Sequence, residues 1–204
     1  MQGALYTQSI ICNPESLDDL RHHGASGVKE VQALVTSKDQ LYQPGVRDAK
    51  LLEISHLMYP DICSDLVSLL DMHNNVISWY YEIREFNYLK YEIGGHFKRH
   101  HDWVGSNNND IYSNRHFTTI TLLKKSDDME GGDLLIWRHP ETDPDRIELD
   151  VNESVIFDAR LLHQVTPLTK GTREVLVAWV YLKSPDQTNV PDDPNNPLIE
   201  KYAV

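Results

Sequence analysis

From residue 77 onward, the sequence consists of short β-prone runs separated by turn residues, and this pattern limits the folds open to the chain. The runs are rich in β-branched and aromatic residues, and glycine pairs such as Gly94-Gly95 and Gly131-Gly132 punctuate them. We predict strands over residues 78–85, 86–93, 116–123, 134–137, 146–149, 154–157 and 174–182. Because few helices and no strand–helix alternation accompany these runs, the pattern favours an antiparallel sandwich or barrel.

Two helices are predicted before the β-rich part. Asn13-Pro14 is typical of a helix start, with asparagine as the cap and proline at the first helical position. Apolar residues at spacings of three and four predict a second helix over residues 61–73, with Asp61 as its cap. We expect both helices to pack on one of the sheets.

Composition excludes several classes of protein. The chain has 204 residues, and its 19 basic and 31 acidic residues give a net charge of −12, which argues against nucleic acid or an anionic membrane as a partner. No apolar stretch approaches the length of a membrane span. Without a secretory signal, the two cysteines are interpreted as reduced thiols, and we expect a cytoplasmic protein.

A histidine and an aspartate two positions apart, His100 and Asp102, are the strongest candidates for a metal site. On a strand, side chains i and i+2 point to the same face, so the imidazole and the carboxylate would converge. The best candidate for a third ligand is His163, which follows the apolar run Val155-Ile156-Phe157. Two histidines and one carboxylate are typical of non-haem Fe(II) oxygenases, in which three coordination positions stay open. A structural zinc site would need four protein ligands, usually with cysteine, and neither cysteine lies near these segments.

Arg173 follows His163 within the segment Lys170-Gly171-Thr172-Arg173. We expect a turn at Gly171 to fold the next strand back alongside the strand of His163, which would point Arg173 into the same barrel. A buried guanidinium needs an anionic partner, because an unpaired buried charge is costly. A dicarboxylate that chelates the metal at one end and pairs with Arg173 at the other end satisfies both demands.

These residues together carry a family resemblance. The ordered pattern is Tyr91-x-x-Gly94-x-x-Phe97-x-x-His100-x-Asp102, then Glu130-Gly131-Gly132, then His163, then Gly171-Thr172-Arg173 and Trp179. It resembles the prolyl 4-hydroxylase-like branch of the 2-oxoglutarate/Fe(II)-dependent dioxygenases. The resemblance implies a single domain over residues 1–204, with a double-stranded β-helix (a distorted, cupin-like jelly roll) over about residues 77–182. We expect residues 184–204 to be an extended C-terminal tail.

The resemblance also implies roles for individual residues. Fe(II) would be bound by His100, Asp102 and His163, and Arg173 would hold the distal carboxylate of 2-oxoglutarate. Tyr91 would donate a hydrogen bond near that carboxylate, Trp179 would line the pocket, and Trp103 could lie at its mouth. Collagen-type members use lysine where this chain has Arg173, which argues against a collagen-type substrate.

The implied reaction is the oxidative decarboxylation of 2-oxoglutarate to succinate and CO2, coupled through O2 to the hydroxylation of an unactivated C–H bond, with ascorbate supporting activity. By resemblance, the first choice of substrate is a prolyl or other aminoacyl residue of a peptide or protein. A free amino acid or small metabolite is the next choice. The polar segment 104–115 is either a lid over the site or a passive loop.

Two other classes of protein stay open at this point. A non-catalytic jelly-roll module that binds a dicarboxylate or sugar would keep Arg173 but need not keep all three metal ligands. A zinc hydrolase on the same scaffold would act without O2 and would give Arg173 no clear task. The joint presence of the three ligands favours the oxygenase.

Overall fold

The computed structural model describes residues 6–10, 13–27, 45–72, 78–103 and 115–183. Within these ranges the chain is mainly β, and its strands and α-helices follow one another along the chain. They are β1 (Tyr6–Ile10), α1 (Pro14–Gly27), β2 (Arg47–Asp48), β3 (Lys50–Ile54), α2 (Pro60–Ser68), β4 (Tyr81–Tyr91), β5 (His96–His100), β6 (Arg115–Lys125), β7 (Glu130–Gly131), β8 (Leu134–Trp137), β9 (Asp145–Ile147), β10 (Glu153–Asp158), β11 (Leu162–Val165), β12 (Leu168–Lys170) and β13 (Arg173–Leu182). Single turns of 3-10 helix are formed by His56–Met58, Leu69–Met72 and Ser78–Tyr80.

The strands form two main antiparallel sheets. A six-stranded sheet has the order β1-β10-β6-β13-β4-β3, and a five-stranded sheet has the order β2-β5-β11-β8-β9. Strands β7 and β12 pair as a separate short ribbon. Neighbouring strands within each sheet are mostly distant in sequence, which is the arrangement of a double-stranded β-helix. The predicted fold class, mainly β with supporting helices on one sheet, is therefore confirmed.

The two faces of the six-stranded sheet bury different apolar clusters. One face packs against the helices, with Leu17, Leu20, Ile62 and Leu66 of α1 and α2 all fully buried there. The other face closes against the five-stranded sheet and buries a second cluster, which includes Tyr91 and Trp179. Because successive residues of a strand point to opposite faces, each long strand contributes to both clusters. The interior between the two sheets is where the candidate site lies.

Both predicted helices form, although the second differs in detail. The backbone N–H of Ser16 donates to Asn13 Oδ1 at 3.1 Å, so Asn13 caps α1 as expected. Helix α2 ends at Ser68 and continues as a 3-10 turn, and its cap position is Tyr59 rather than Asp61. The Asp61 carboxylate instead accepts hydrogen bonds from the side chains of Asn13 and Ser16. The Asp61 side chain thus joins the start of α2 to the start of α1 and does not cap α2. Sequence spacing does not reveal this contact.

The two strands predicted over residues 78–85 and 86–93 are one continuous strand, β4. No glycine or proline separates them. The alternation of buried and exposed side chains does change near residue 84, but for another reason. The pairing of β4 with β13 shifts register between Trp179 and Val180, which face Glu85 and Ile83. Arg84 is thus the extra residue of a β-bulge, which changes the side-chain alternation without breaking the strand.

Some expectations fall on residues outside the described ranges. These include most of the segment 104–115 and the C-terminal tail over residues 184–204. Within the described residues, no helix is long and apolar enough to cross a membrane.

Candidate metal and 2-oxoglutarate site

The structure brings His100, Asp102 and His163 together between the two sheets. One candidate ligand atom from each side chain lies within 4.8 Å of the others. His100 and His163 face each other directly in the pairing of β5 with β11, and their ring centroids are 4.1 Å apart. The Nε2 atom of each histidine is 3.5 Å from an oxygen of the Asp102 carboxylate.

Asp102 reaches this position by a route that differs from the one predicted. Strand β5 ends at His100, so Asp102 lies beyond the strand, where the alternation of strand side chains no longer sets its direction. The backbone N–H of Asp102 donates to the carbonyl of Ala159 at 2.9 Å, which ties this segment to the turn that precedes β11. The turn before His163 therefore fixes the position of Asp102, and the geometry of strand β5 does not.

The Asp102 carboxylate is buried and oriented by neighbouring side chains. The hydroxyl of Thr118 on β6 donates to Oδ2 of Asp102 at 2.7 Å. Burial alone would raise the pKa of Asp102. At the acid pH where this carboxyl titrates, the positive charge of His163 and the hydrogen bonds from His100 and Thr118 outweigh burial and hold this pKa well below its usual range. At neutral pH the carboxylate is ionised, which is the form that binds a metal.

Each histidine is held by its Nδ1 atom. Nδ1 of His100 donates to the Lys98 carbonyl at 2.7 Å, and Nδ1 of His163 donates to the Leu161 carbonyl at 3.1 Å. A carbonyl can only accept, so Nδ1 carries the proton and Nε2 presents its lone pair to the centre of the triad. Burial and the neighbouring His100 lower the pKa of His163 to about 4, which keeps this imidazole neutral at pH 7.

This donor set fits a divalent first-row metal. Two imidazoles and one carboxylate, with no thiolate, match the 2-His-1-carboxylate set that leaves three positions of an octahedral ion open to other ligands. A closed structural zinc site would need a fourth protein ligand. Among the described residues, no other group of three histidine, cysteine or acidic side chains is placed to hold a metal.

Arg173 and Tyr91 lie side by side on the six-stranded sheet, where they face each other in the pairing of β13 with β4. The Arg173 guanidinium is 5.7 Å from the centre of the Tyr91 ring, and both side chains are buried. Burial lowers the pKa of Arg173. Its Nη1 atom is buried and has no hydrogen-bond partner among the described residues. An uncompensated buried N–H is costly, so this donor points to a ligand with an acceptor oxygen.

The observed position of Arg173 differs in one respect from the predicted one. Gly171 has a positive φ of 77° and does form a turn, but the strand that follows joins the other sheet and does not run alongside β11. Arg173 therefore faces the interior from the sheet opposite His163. It borders a cavity of about 380 Å³, which is lined by Leu122 and Leu134 and by several charged side chains, among them Lys125 and Asp133.

The two tryptophans proposed for the pocket differ in burial. Trp179 lies on β13 in the interior cluster, and its buried Nε1 atom has no hydrogen-bond partner among the described residues. Trp103 is 41% exposed, and its backbone N–H donates to Ala159, as that of Asp102 does. Trp179 is thus an interior side chain, whereas Trp103 lies at the surface next to the triad.

Several neighbours of the triad were not identified in the sequence. Thr118 lies in a run of threonines, and only the strand pairing shows that its hydroxyl faces Asp102. The others become visible once distant strands are paired. They are Phe97, whose ring stacks on His100, and Arg47, whose guanidinium lies over the Phe97 ring; of the two, Phe97 was identified only as part of the family pattern.

Residues 86–181 match the family model described as the 2OG-Fe(II) oxygenase superfamily, and this stretch contains all three triad residues and Arg173. The part of the chain that includes the triad is therefore similar to the 2OG-Fe(II) oxygenase superfamily. The family resemblance carried by the sequence motifs is thereby confirmed. Fe(II) and 2-oxoglutarate follow as the metal and co-substrate of the family, and the His-Asp-His triad is present to receive the metal.

Curated relatives are similar to this chain over part of their length. A PKHD-type hydroxylase of Gloeothece citriformis is 34% identical over 99 residues, which are 48% of this chain and 43% of that protein. A PKHD-type hydroxylase of Alteromonas mediterranea is 32% identical over 69 residues, which are 34% of this chain and 29% of that protein. The chain therefore spans less than half the length of the curated relatives it matches.

A solved structure shares the fold. The prolyl-4-hydroxylase of Pseudomonas putida superimposes with a TM-score of 0.63 at 16% identity, covering 88% of this chain and 93% of that one. At this identity, the similarity extends to the fold alone.

Proposed function

We propose that this chain is an Fe(II)- and 2-oxoglutarate-dependent dioxygenase that hydroxylates a C–H bond, with succinate and CO2 as co-products. The observation that carries the proposal is the convergence of His100, Asp102 and His163 within one buried site. At neutral pH the Asp102 carboxylate is ionised and the His163 imidazole is neutral, and the three side chains together supply half of an octahedral coordination sphere. When bound, Fe(II) supplies the O2 chemistry: one oxygen atom enters succinate and the other enters the substrate.

The residues of the chain would perform two tasks around the metal. The Arg173 guanidinium would bind the distal carboxylate of 2-oxoglutarate in a bidentate manner, and Tyr91 would donate its hydroxyl to the same carboxylate. The buried apolar side chains between the two sheets would limit access of water to the site. Trp179 would line the pocket, and the more exposed Trp103 would lie at its mouth.

The substrate is proposed from two classes. A prolyl or other aminoacyl residue of a peptide or protein is the first choice, because structural neighbours are prolyl hydroxylases, one of them from Trichoplax adhaerens in complex with a peptide. A free amino acid or small metabolite is the second choice. We also propose that ascorbate supports activity by keeping iron reduced, and that the protein acts in the cytoplasm.

Succinate release tests this function. The purified chain is loaded with Fe(II) without oxygen, then given 2-oxoglutarate, ascorbate and O2 with a panel of peptides and amino acids. We expect succinate to form with Fe(II) and O2 and not with Zn(II), and to rise above its uncoupled level when a substrate is present. Turnover of a substrate with Zn(II) and without O2 would favour a hydrolase, and tight metal and 2-oxoglutarate binding with no succinate under any condition would favour a binding module.

A further inference from the structure

A second positive charge, that of Lys125, lies beside Arg173 on the six-stranded sheet. Arg173 of β13 faces Tyr91 of β4 on one side and Lys125 of β6 on the other side. Residues that face each other directly on antiparallel strands point to the same face of the sheet, with their Cβ atoms about 4.5–5.5 Å apart. Lys125 and Arg173 also line the same cavity of about 380 Å³. The two cations therefore share one space.

Neither cation forms an ion pair with a carboxylate among the described residues. Arg173 Nη1 is buried without a hydrogen-bond partner there. The Nζ atom of Lys125 donates to the Leu149 carbonyl at 3.2 Å. Because an ammonium group has three N–H donors, the bond to Leu149 leaves Lys125 able to bind a further acceptor.

The arginine at the other end of β6 has a different environment. The Nη2 and Nε atoms of Arg115 donate to the two oxygens of Glu85 at 2.7 and 3.1 Å, and its guanidinium lies 3.8 Å from the centre of the Trp179 ring. The chain thus supplies a bidentate carboxylate partner for Arg115. It supplies none for Arg173 and Lys125 within the described residues.

The acidic side chains that line the cavity have other partners. Asp133 pairs with Arg146 at 2.8 Å, and the Glu153 carboxylate accepts a hydrogen bond from the backbone N–H of Asp150 at 2.9 Å. Like charges that face each other directly on neighbouring strands are destabilising. A carboxylate placed between the two cations would remove this repulsion and would satisfy the buried N–H of the guanidinium.

We propose that Lys125 binds the distal carboxylate of 2-oxoglutarate together with Arg173. This inference rests on the proposed function, in which Arg173 takes that carboxylate. The two oxygens of a carboxylate offer about four lone-pair sites, so they can accept from a guanidinium and an ammonium at once. Leu122, the neighbouring interior residue of β6, has no donor, which leaves Lys125 to act from this strand. Lys125 thereby selects 2-oxo acids that have a distal carboxylate.

Binding of two 2-oxo acids under anaerobic conditions tests the proposal without turnover. The full chain is loaded with Fe(II), and the charge-transfer absorption of a chelating 2-oxo acid is titrated. 2-Oxoglutarate is compared with 2-oxopentanoate, which has the same carbon chain but a methyl group in place of the distal carboxylate. We expect Lys125→Gln to weaken 2-oxoglutarate binding about tenfold and to leave 2-oxopentanoate binding unchanged, whereas Lys125→Arg should keep most of the 2-oxoglutarate affinity.

Lys124→Gln is the matched control, because it removes the same charge from the adjacent residue of β6. Lys124 is exposed and faces Glu174, whose side chain points to the helix side of the sheet. This variant should bind both 2-oxo acids as the wild type does. Circular dichroism of each variant separates a loss of binding from a loss of fold.

The outcomes distinguish this inference from the proposed function. Equal 2-oxoglutarate affinity in the wild type and Lys125→Gln would overturn the role of Lys125. Equal losses for the two 2-oxo acids, or equal losses in Lys124→Gln and Lys125→Gln, would also overturn it, since neither effect would act through the distal carboxylate. Absence of the absorption in the wild type with either acid would contradict the proposed function and the inference together.

Discussion

The two faces of strand β13 differ in the polarity of their buried side chains. The residues that face the helices, Leu176, Ala178 and Val180, are fully buried and apolar. Those that face the other sheet include Arg173 and Trp179, which carry buried polar atoms with no partner among the described residues. On a sheet face that only stabilises the fold, buried polar atoms are hydrogen-bonded within the chain. On a face that binds a ligand, some buried donors are left to bond to that ligand. Substitutions on the two faces should therefore have separable effects.

The largest effect is expected on the interior face, at Asp102. Asp102→Ala removes a charged ligand atom from the triad, so Fe(II) binding should weaken greatly and turnover should be abolished, while the metal-free fold is largely preserved. Succinate release, metal binding and circular dichroism measure the three quantities. Retained turnover in this variant would contradict the ligand assignment.

Leu176 tests the helix-facing side of the same sheet. This side chain is fully buried, so Leu176→Ala should lower the free energy of unfolding by about 2–5 kcal/mol through lost burial and a cavity. Below the melting temperature, the 2-oxoglutarate requirement should be unchanged. Denaturant unfolding gives the stability, and Val151→Ala, at an exposed aliphatic residue, serves as the control. A selective change in the 2-oxoglutarate requirement would show that the two faces are not separable.

Arg173 tests the interior face without touching the metal. Arg173→Ala should raise the 2-oxoglutarate concentration needed for half-maximal turnover by about 10- to 100-fold, because a charge-assisted pair is lost. Iron binding should persist, and Arg173→Lys should recover part of the loss. An unaltered 2-oxoglutarate dependence in Arg173→Ala would mean that another residue holds the distal carboxylate.

Two adjacent threonines of β6 provide a finer comparison. Thr118 donates to Asp102, whereas Thr119 donates to the Ala178 carbonyl, and both are fully buried. Thr118→Val should weaken metal binding about tenfold by releasing the carboxylate, and Thr118→Ser should restore it. Thr119→Val should lower stability and leave metal affinity as in the wild type. Equal metal affinity in the two valine variants would remove the orienting role of Thr118.

The smallest effect is expected at Cys63, in the helix layer. Burial raises the pKa of its thiol to about 12, so the thiol is neutral at pH 8 and should react with iodoacetamide far more slowly in the folded chain than in urea. Peptide mass spectrometry of the residue 63 fragment measures this difference. Rapid modification of the folded chain would show that the helix layer opens readily.

The sequence predicted the β-rich architecture and the candidate site residues because both depend on residue type and order. His100, Asp102 and His163 converge in the structure, as do Arg173 and Tyr91. The sequence did not predict how Asp102 is held, since the carbonyl of Ala159 comes from a turn and the hydroxyl of Thr118 from a strand, both distant in sequence. It also misplaced the strand of Arg173, because periodicity does not tell which of two sheets a strand joins.

The pairs around Arg47 and Arg115 were missed for a related reason. Arg47 lies in a two-residue strand, which is too short to give a periodic signal, and the partner of Arg115 is on β4. Charged residues are usually solvated, so their burial is visible only after the sheets are assembled. Contacts across sheets thus decide the environment of residues that composition alone would assign to the surface.

Arg173 and Glu174 are consecutive residues that point to opposite sides of β13. The buried Glu174 accepts a hydrogen bond from Tyr88 at 2.7 Å, and the Tyr88 ring fills the space where a side chain at Gly24 of α1 would lie. Tyr88 and Glu174 thus connect the backbone that carries Arg173 to helix α1. A side chain at residue 24 would displace the Tyr88 ring and, through Glu174, strain the strand that carries Arg173, so this one contact limits which residues α1 can accept there.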